Sequence, residues 1–239
     1  MILRDAAQEA VQELWLPTLA ALGFALLALP LLAESAVMVR DRAVLDGVLA
    51  LAWLLSVGSG LRLGTLLGGQ GLGPLLRPAV GDGRFLRDRL AGHGAVLAGQ
   101  ASLVLALSCL HAPVRGGGPG LLVHGLACAG EAVLATLLTA LLAVVVRPWL
   151  GAACAGALLL VGHLEQELLA SLADTSARIP AQALLLFVPS VERLDVQGAL
   201  LRHSPIDPAA VGVGAVELAG WCLLLGLAVR AAWARVDRA

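Results

Sequence analysis

Long apolar blocks with almost no charge constrain this chain more than any other feature. Residues 120 to 146, for example, contain one acid, Glu131, and no arginine or lysine. Crossing the hydrocarbon of a bilayer takes about 20 apolar residues in a helix. In hydrocarbon a helix satisfies all its backbone hydrogen bonds internally. The blocks therefore predict an all-α polytopic membrane protein.

The composition agrees with this prediction. Of the 239 residues, 59% are hydrophobic and only 14% are charged, whereas a soluble domain has about 25% charged residues. The chain has no lysine, and all 16 of its basic residues are arginine. A Walker A loop needs a lysine against the nucleotide phosphates, so this chain is not itself a P-loop ATPase. No nucleic-acid partner is expected.

Six membrane spans are predicted, preceded by an interfacial helix. Residues 1–15 carry apolar side chains on one helical face and polar ones on the other, which is typical of a helix lying along a membrane. The predicted spans are about 16–38, 44–66, 90–111, 120–146, 149–171 and 209–229. The single permease domain, 1–239, then divides into spans one and two (16–66), a connection (67–90), spans three to five (90–171), a second connection (172–208), and the sixth span with its tail (209–239).

The arginines predict the orientation of these spans. With the N-terminus inside the cell, ten of the 16 arginines lie on the cytoplasmic side and six outside, as the positive-inside rule favours. Both termini and the 67–90 connection are then cytoplasmic, and the 172–208 connection is external. Within the latter, residues 179–189 are apolar but too short to span. We interpret 172–208 as a re-entrant or interfacial hairpin between the fifth and sixth spans.

Four arginines concentrate in the 67–90 connection: Arg77, Arg84, Arg87 and Arg89. The turn signal Gly-Asp-Gly at residues 81–83 precedes a short helical pattern that mixes these arginines with Phe85. Two interpretations remain open. The arginines fix the orientation of the chain and nothing more, or they belong to a helix that docks a soluble partner.

This connection resembles that of ABC-2-type transporter permeases. The resemblance lies in Arg77-Pro78, followed by Phe85-Leu86-Arg87-Asp88-Arg89-Leu90-Ala91-Gly92 at the entry to the third span. A second similarity is the Pro-x-x-acid-x-x-polar pattern before the last span, here Pro189, Glu192 and Asp195. The chain departs from the family at Arg62, because many relatives carry an acid before the Gly-Thr-Leu that follows it here.

The resemblance implies a transport subunit that works by alternating access. The family's coupling helix touches a separate ABC ATPase, which binds ATP and magnesium, and it corresponds here to Arg77, Pro78, Arg84, Phe85, Arg87 and Arg89. The resemblance also implies a second permease copy in a homodimer, surrounding lipids, and a bacterial cytoplasmic (inner) membrane; an external accessory protein is a further candidate partner. This chain would hold no catalytic residue, cofactor or metal.

Two other functions are kept open. Relatives of this kind can pass ATP-driven motion to an envelope machine without transport. A membrane anchor or intramembrane enzyme is disfavoured, because Gly58-Ser59-Gly60 lacks the first glycine of the Gly-x-Ser-Gly of intramembrane serine proteases. These three small residues are expected to let helices pack closely instead.

Four ionisable residues in the predicted spans form a candidate polar path: Glu131, His163, Glu165 and Glu167. A carboxylate in the bilayer interior costs about 2.5 kcal/mol or more, so Glu131 is protonated, paired or facing a cavity. It would form a substrate or proton site, or bond a neighbouring helix through Thr136, Thr139, Gln100 or Ser102. His163 and Glu167 are four residues apart and are expected to share a helical face, but no third metal ligand is evident.

Overall fold

The described part of the chain is helical and contains no strand. The computed structural model describes residues 45, 49, 52–54, 56–65, 92, 99, 102, 106, 118–173, 175–189, 196, 199–200 and 204–236. Its helices are α1 (Gly118–Val145), α2 (Pro148–His163), α3 (Glu165–Ser171), α4 (Arg178–Leu185) and α5 (Pro208–Val236). Residues 52–54 and 56–65 are also helical and are called the 52–65 segment.

Helix α1 is the centre of this arrangement and packs against both α2 and α5. Its buried face carries Leu134, Ala135 and Leu138, which form a core cluster with Leu159 of α2 and Leu225 of α5. In the apolar interior these side chains contribute van der Waals contacts, which drive helix association in a membrane.

The direction of the helices follows from their contacts with α1. Leu218 of α5 lies against Gly130 of α1, and Val229, later in α5, lies in a cluster with Ala140, later in α1. Because the contacts advance in the same direction along both helices, α5 runs parallel to α1. Helix α2 runs antiparallel, because Gly151 at its start contacts Ala143 near the end of α1.

The α1–α2 connection is only two residues long. Arg147 has an extended backbone, with φ −69° and ψ 138°, and Pro148 opens α2. A residue before proline avoids the α region, and proline fits the first position of a helix. The chain therefore leaves α1 before Arg147 and begins α2 in a new direction at Pro148.

The predicted fifth span, 149–171, is not one straight helix. It is divided into α2 and α3, which meet at Leu164 with a bend of 67°. The expectation that His163 and Glu167 share a helical face is therefore wrong, because the break lies between them. Close to the break, Gly162 lies against the backbone oxygen of Pro189, where a side chain would collide.

The 172–208 connection contains the short helix α4. Its eight residues extend about 12 Å, which is too short to cross a bilayer, as predicted for residues 179–189. Ile179, Leu184 and Phe187 are between 70% and 78% exposed. Such an apolar surface on a short helix is suited to the membrane interface.

Two described helices are long and apolar enough to cross a membrane: Gly120–Val145 and Pro208–Ala232, with mean hydropathies of 2.1 and 1.9. A third crossing results if α2 and α3 together form one bent span. The interfacial helix 1–15, the first span and the arginine-rich connection lie outside the described residues, and so do most residues of the third span. Ser56 to Thr65, within the predicted second span, are helical.

Small residues line the contact between the 52–65 segment and α1. Ser56, Gly60 and Gly64 recur every four residues along the segment. Ser56 and Gly60 contact Thr136 of α1, and Gly64 contacts Ala143 further along the same helix. The Thr136 hydroxyl lies 3.1 Å from the Ser56 carbonyl oxygen and 3.0 Å from that of Ala132. The two helices run parallel, and the expected close packing at Gly60 is present.

A methyl group at Gly60 is expected to destabilise this contact. An alanine Cβ there would lie 2.6 Å from the Thr136 carbonyl oxygen and 2.7 Å from Thr139 Cβ, and overpacking of this kind costs about 1–3 kcal/mol. Gly156→Ala is the matched control, because a Cβ at Gly156 meets no described residue within 4 Å. Chemical unfolding in bicelles should show a net loss for Gly60→Ala and a gain of about 0.5–1 kcal/mol for Gly156→Ala. Equal effects of the two changes would contradict the close contact.

Candidate functional site

A carboxylate is buried near the middle of α1. Glu131 is 3% exposed and lies about 20 Å from either end of the helix. Its neighbours along the buried face are apolar or small: Cys128, Ala132, Leu134 and Ala135. A charged group at such a position must find polar partners from other helices, because its own helix offers none of opposite charge.

Two side chains from other elements meet this carboxylate, and both address the same oxygen. His163 Nε2 lies 3.0 Å from Glu131 Oε2. Trp53 Nε1–H donates a hydrogen bond to Oε2 over 3.1 Å. The Trp53 and His163 rings also face each other, with centroids 5.0 Å apart and planes inclined by 49°. We call Trp53, Glu131 and His163 the polar cluster.

The end of α2 brings His163 to this depth. Helix α2 begins beside the end of α1 and runs back along it for 16 residues, about 24 Å. It then ends at His163, at the same depth as Glu131. Helix α1 extends about another 20 Å beyond this depth, toward its own N-terminus. At the end of α2 the Leu164 N–H group bonds the carbonyl oxygens of Leu160 and Val161, and the partial negative charge of a helix C-terminus favours a cation there.

Trp53 is supplied by the 52–65 segment. Its side chain is half-buried, and the neighbouring Ala52 packs in a small cluster with Cys128 and Ala132 of α1. A buried indole needs an acceptor for its N–H group, and Glu131 provides it. The cluster thus joins three separate parts of the chain by hydrogen bonds within an apolar bundle.

A second polar contact lies on α1, toward its N-terminus. His124 and Cys128 are both buried, and His124 Nε2 lies 3.5 Å from Cys128 Sγ. Their spacing of four residues places them one turn apart on the same face. Cys128 separates His124 from Glu131, so polar groups occupy three successive turns of this helix.

The structure brings together two of the four residues proposed for the polar path. Glu131 and His163 are bonded, whereas Glu165 and Glu167 follow in α3, beyond the break in the span. Thr136 and Thr139 were two of the four alternatives for a bond to Glu131, and neither forms that bond in the described part of the chain. Thr136 bonds backbone carbonyls instead, and within the described residues the buried hydroxyl of Thr139 has no partner.

Other sequence-based candidates lie outside the described residues. These are Gln100, Glu192, Asp195 and the coupling residues Arg77, Pro78, Arg84, Phe85, Arg87 and Arg89. Trp53 was missed by the sequence analysis. The one available signal was a tryptophan in the second predicted span, since its N–H group needs an acceptor when the ring is buried.

The cluster contains two side chains of the kinds that bind metals, Glu131 and His163. Across the residues that the structure describes, no three His, Cys, Asp or Glu side chains come together as ligands. Glu131 and His163 alone provide two donors, short of the three or four that a zinc site uses. The arrangement is instead able to hold a proton or to bind a small polar group.

Comparison of the chain with family models, curated proteins and solved structures found no match in any of the three.

Proposed function

We propose that this chain is the membrane-spanning subunit of an ATP-driven transporter, with ATP hydrolysed by a separate ABC ATPase. The observation that carries the transport part is the polar cluster. Ionisable residues inside membrane helices are costly and usually mark substrate or ion pathways. A helix interrupted at the same depth is a further feature of transporter binding sites, and α2 ends at the residue that bonds Glu131.

The arrangement of the helices supports six spans with alternating directions. In such a topology, spans two, four and six run parallel to one another, and span five runs opposite to them. The 52–65 segment, α1 and α5 are parallel, and α2 is antiparallel to α1. A third span at 90–111, as predicted from the sequence, would be consistent with the 52–65 segment and α1 running in the same direction.

The positions of three arginines support the proposed orientation. Arg62, Arg147 and Arg230 lie at the same end of the bundle, where the 52–65 segment, α1 and α5 approach their ends. All three are among the ten arginines that the predicted orientation places on the cytoplasmic side, and arginine at the cytoplasmic ends of spans is the general tendency.

The ATP-dependent part of the proposal depends on the sequence. The chain has no lysine and therefore no Walker A loop of its own. Its 67–90 connection resembles the coupling helix of ABC-2-type permeases, which would place Phe85 and its neighbouring arginines on an ATPase subunit. A homodimer of the permease, with one ATPase on each copy, is the assembly that the resemblance implies. Its location would be the cytoplasmic membrane of a bacterium.

Purification of the chain with its partner tests this proposal. We expect the tagged full chain, extracted from native membranes in mild detergent, to bring down one protein with a Walker A sequence and ATP hydrolysis activity. Phe85→Ala combined with Arg87→Glu should reduce the recovered ATPase at least tenfold, because a few residues dominate an interface and charge complementarity guides it. The control is Arg178→Glu, on the predicted outer side. Absence of a Walker A protein would refute the ATP-driven function, and full recovery with the double variant would refute the coupling site.

A further inference from the structure

We infer that Val188 and Pro189, which we call the latch, hold the bend between α2 and α3. The contact that carries the inference joins the Pro189 backbone to Gly162, near the end of α2. Both residues are buried. The chain between them contains α3 and α4, so this part of the protein forms a loop that is closed at the latch.

The two backbones at the latch lie closer together than a side chain would allow. A Cβ at Gly162 would collide with the carbonyl oxygen of Pro189, and it would lie 3.3 Å from the carbonyl carbon and 3.6 Å from Val188 Cγ1. The oxygen belongs to the main chain, so it moves aside only if the chain around it also moves. Glycine at position 162 is therefore a condition of the contact.

A straight helix is a close alternative to the bend. Sharp kinks usually occur at proline or where a group inserts into the hydrogen-bond ladder, and no proline lies between positions 149 and 171. The Leu164 N–H group bonds the Leu160 carbonyl oxygen, and the Leu168 N–H group bonds that of Leu164. The helical bonding pattern thus continues on both sides of the bend, and the latch selects the bent form from outside the helix.

The bend determines how far the predicted fifth span reaches. Helix α2 has 16 residues and is about 24 Å long, which is less than the roughly 30 Å of bilayer hydrocarbon. Joined as one straight helix from Pro148 to Ser171, α2 and α3 would measure about 36 Å and would cross the hydrocarbon. The bent form instead leaves the end of α2 within the bundle.

A helix that ends at this depth needs protein around its end. Non-helical backbone inside a membrane is tolerated where it is buried in protein or lines a water-filled cavity. The latch supplies part of that protein, because Pro189 lies directly on Gly162. The bent form and the closed latch therefore stabilise each other.

The straight form and the closed latch exclude each other. Removing the bend of 67° would move the far end of α3 by about 12 Å, since this helix is about 10 Å long. Helix α4 contacts α3 and would move with it, which would draw Pro189 away from Gly162. His163 follows Gly162 directly, so opening the latch also changes the helix end that brings this side chain to Glu131. The 172–208 connection thereby acts as a conformational switch for the polar cluster.

A distance measurement between two spin labels tests the latch. The labels are attached at Trp149→Cys and Phe187→Cys, two positions that are 67% and 78% exposed, after the four native cysteines are replaced by alanine. The full chain is held in lipid nanodiscs. We expect one narrow distance distribution at about 20 Å, the length of α2 between Trp149 and Gly162, because Phe187 is two residues from the latch.

Gly162→Ala should lengthen the mean distance by at least about 5 Å, one helical turn, and broaden the distribution. The added methyl group collides with Pro189, and alanine also favours a continuous helix over glycine. Gly156→Ala is the matched control in the same helix. It makes the same gain in helix propensity, but its Cβ meets no described residue within 4 Å, so the distribution should be that of the wild type.

Pro189→Gly tests the latch from its other side. It leaves Gly162 unchanged and gives the latch more backbone freedom, so it should broaden the distribution as well, and it decides the question if Gly162→Ala does not fold. Equal distributions for Gly162→Ala and Gly156→Ala would overturn the inference, as would a broad distribution in the wild type. The measurement uses this chain alone, so its result does not depend on whether an ATPase is recovered, and the two proposals fail separately.

Discussion

Replacing His163 by alanine is expected to lower the free energy of unfolding by about 3–5 kcal/mol, the usual cost of removing one partner from a buried pair. Glu131 would keep the Trp53 hydrogen bond but lose the imidazole on the same oxygen. The remaining carboxyl is then either charged without a counter-charge or neutralised by a proton with no acceptor facing it. Both states are higher in free energy than the intact pair.

A double variant separates the loss of the contact from the exposure of the carboxylate. Glu131→Leu combined with His163→Ala removes the charge and fills much of its volume, and replacement of buried pairs by apolar residues is often neutral or stabilising. We expect the double variant to be more stable than His163→Ala alone, measured by chemical unfolding in bicelles. If His163→Ala costs less than about 1 kcal/mol, the range of surface pairs, the pair is not a buried one.

Leu134→Ala is expected to show the second largest effect, a loss of about 2–3 kcal/mol. Leu134 is 0% exposed and lies in the core cluster between α1, α2 and α5. Leucine-to-alanine changes in soluble cores cost about 2–5 kcal/mol. In a bilayer the lower part of this range applies, because lipid tails are as apolar as leucine and only the packing contribution is lost.

Leu126→Ala is the matched control, since it makes the same chemical change in the same helix. The Leu126 side chain is 55% exposed, so it contacts lipid rather than other helices in a membrane. We expect its replacement to change stability by no more than about 0.5 kcal/mol, in the same unfolding assay. A similar loss for both leucines would mean that helix propensity, and not packing around Leu134, determines the result.

The long helices were predictable because span length and apolar composition are local properties. The predicted fourth span, 120–146, is close to the observed Gly118–Val145. The sixth was placed at 209–229, but α5 continues to Val236. Arg230 marks where the apolar block ends, but a helix does not have to stop there. Alanine and arginine both favour helix, and the backbone hydrogen bonds continue into a polar environment.

The break at Leu164 was not predictable from local sequence. Neither proline nor glycine occupies position 164, although the polar residues Glu165, Gln166 and Glu167 follow it. The structure places the Pro189 backbone against Gly162, a contact between residues far apart in the sequence. The same reason explains the polar cluster. Glu131 was recognised as a costly group that needs a partner, but its partners lie 32 and 78 positions away, and only the helix arrangement selects them.

The repeat of Ser56, Gly60 and Gly64 along the 52–65 segment leaves the register of that contact weakly specified. A shift by one turn, about 5.4 Å, would place one small residue where another had been and meet little steric resistance. The Trp53–Glu131 hydrogen bond does not tolerate this shift, because no second tryptophan follows one turn later. A single polar contact within an apolar interface can select one alignment among several. The polar cluster therefore fixes the register of this interface, which the repeated small residues alone would leave open to a shift of one turn.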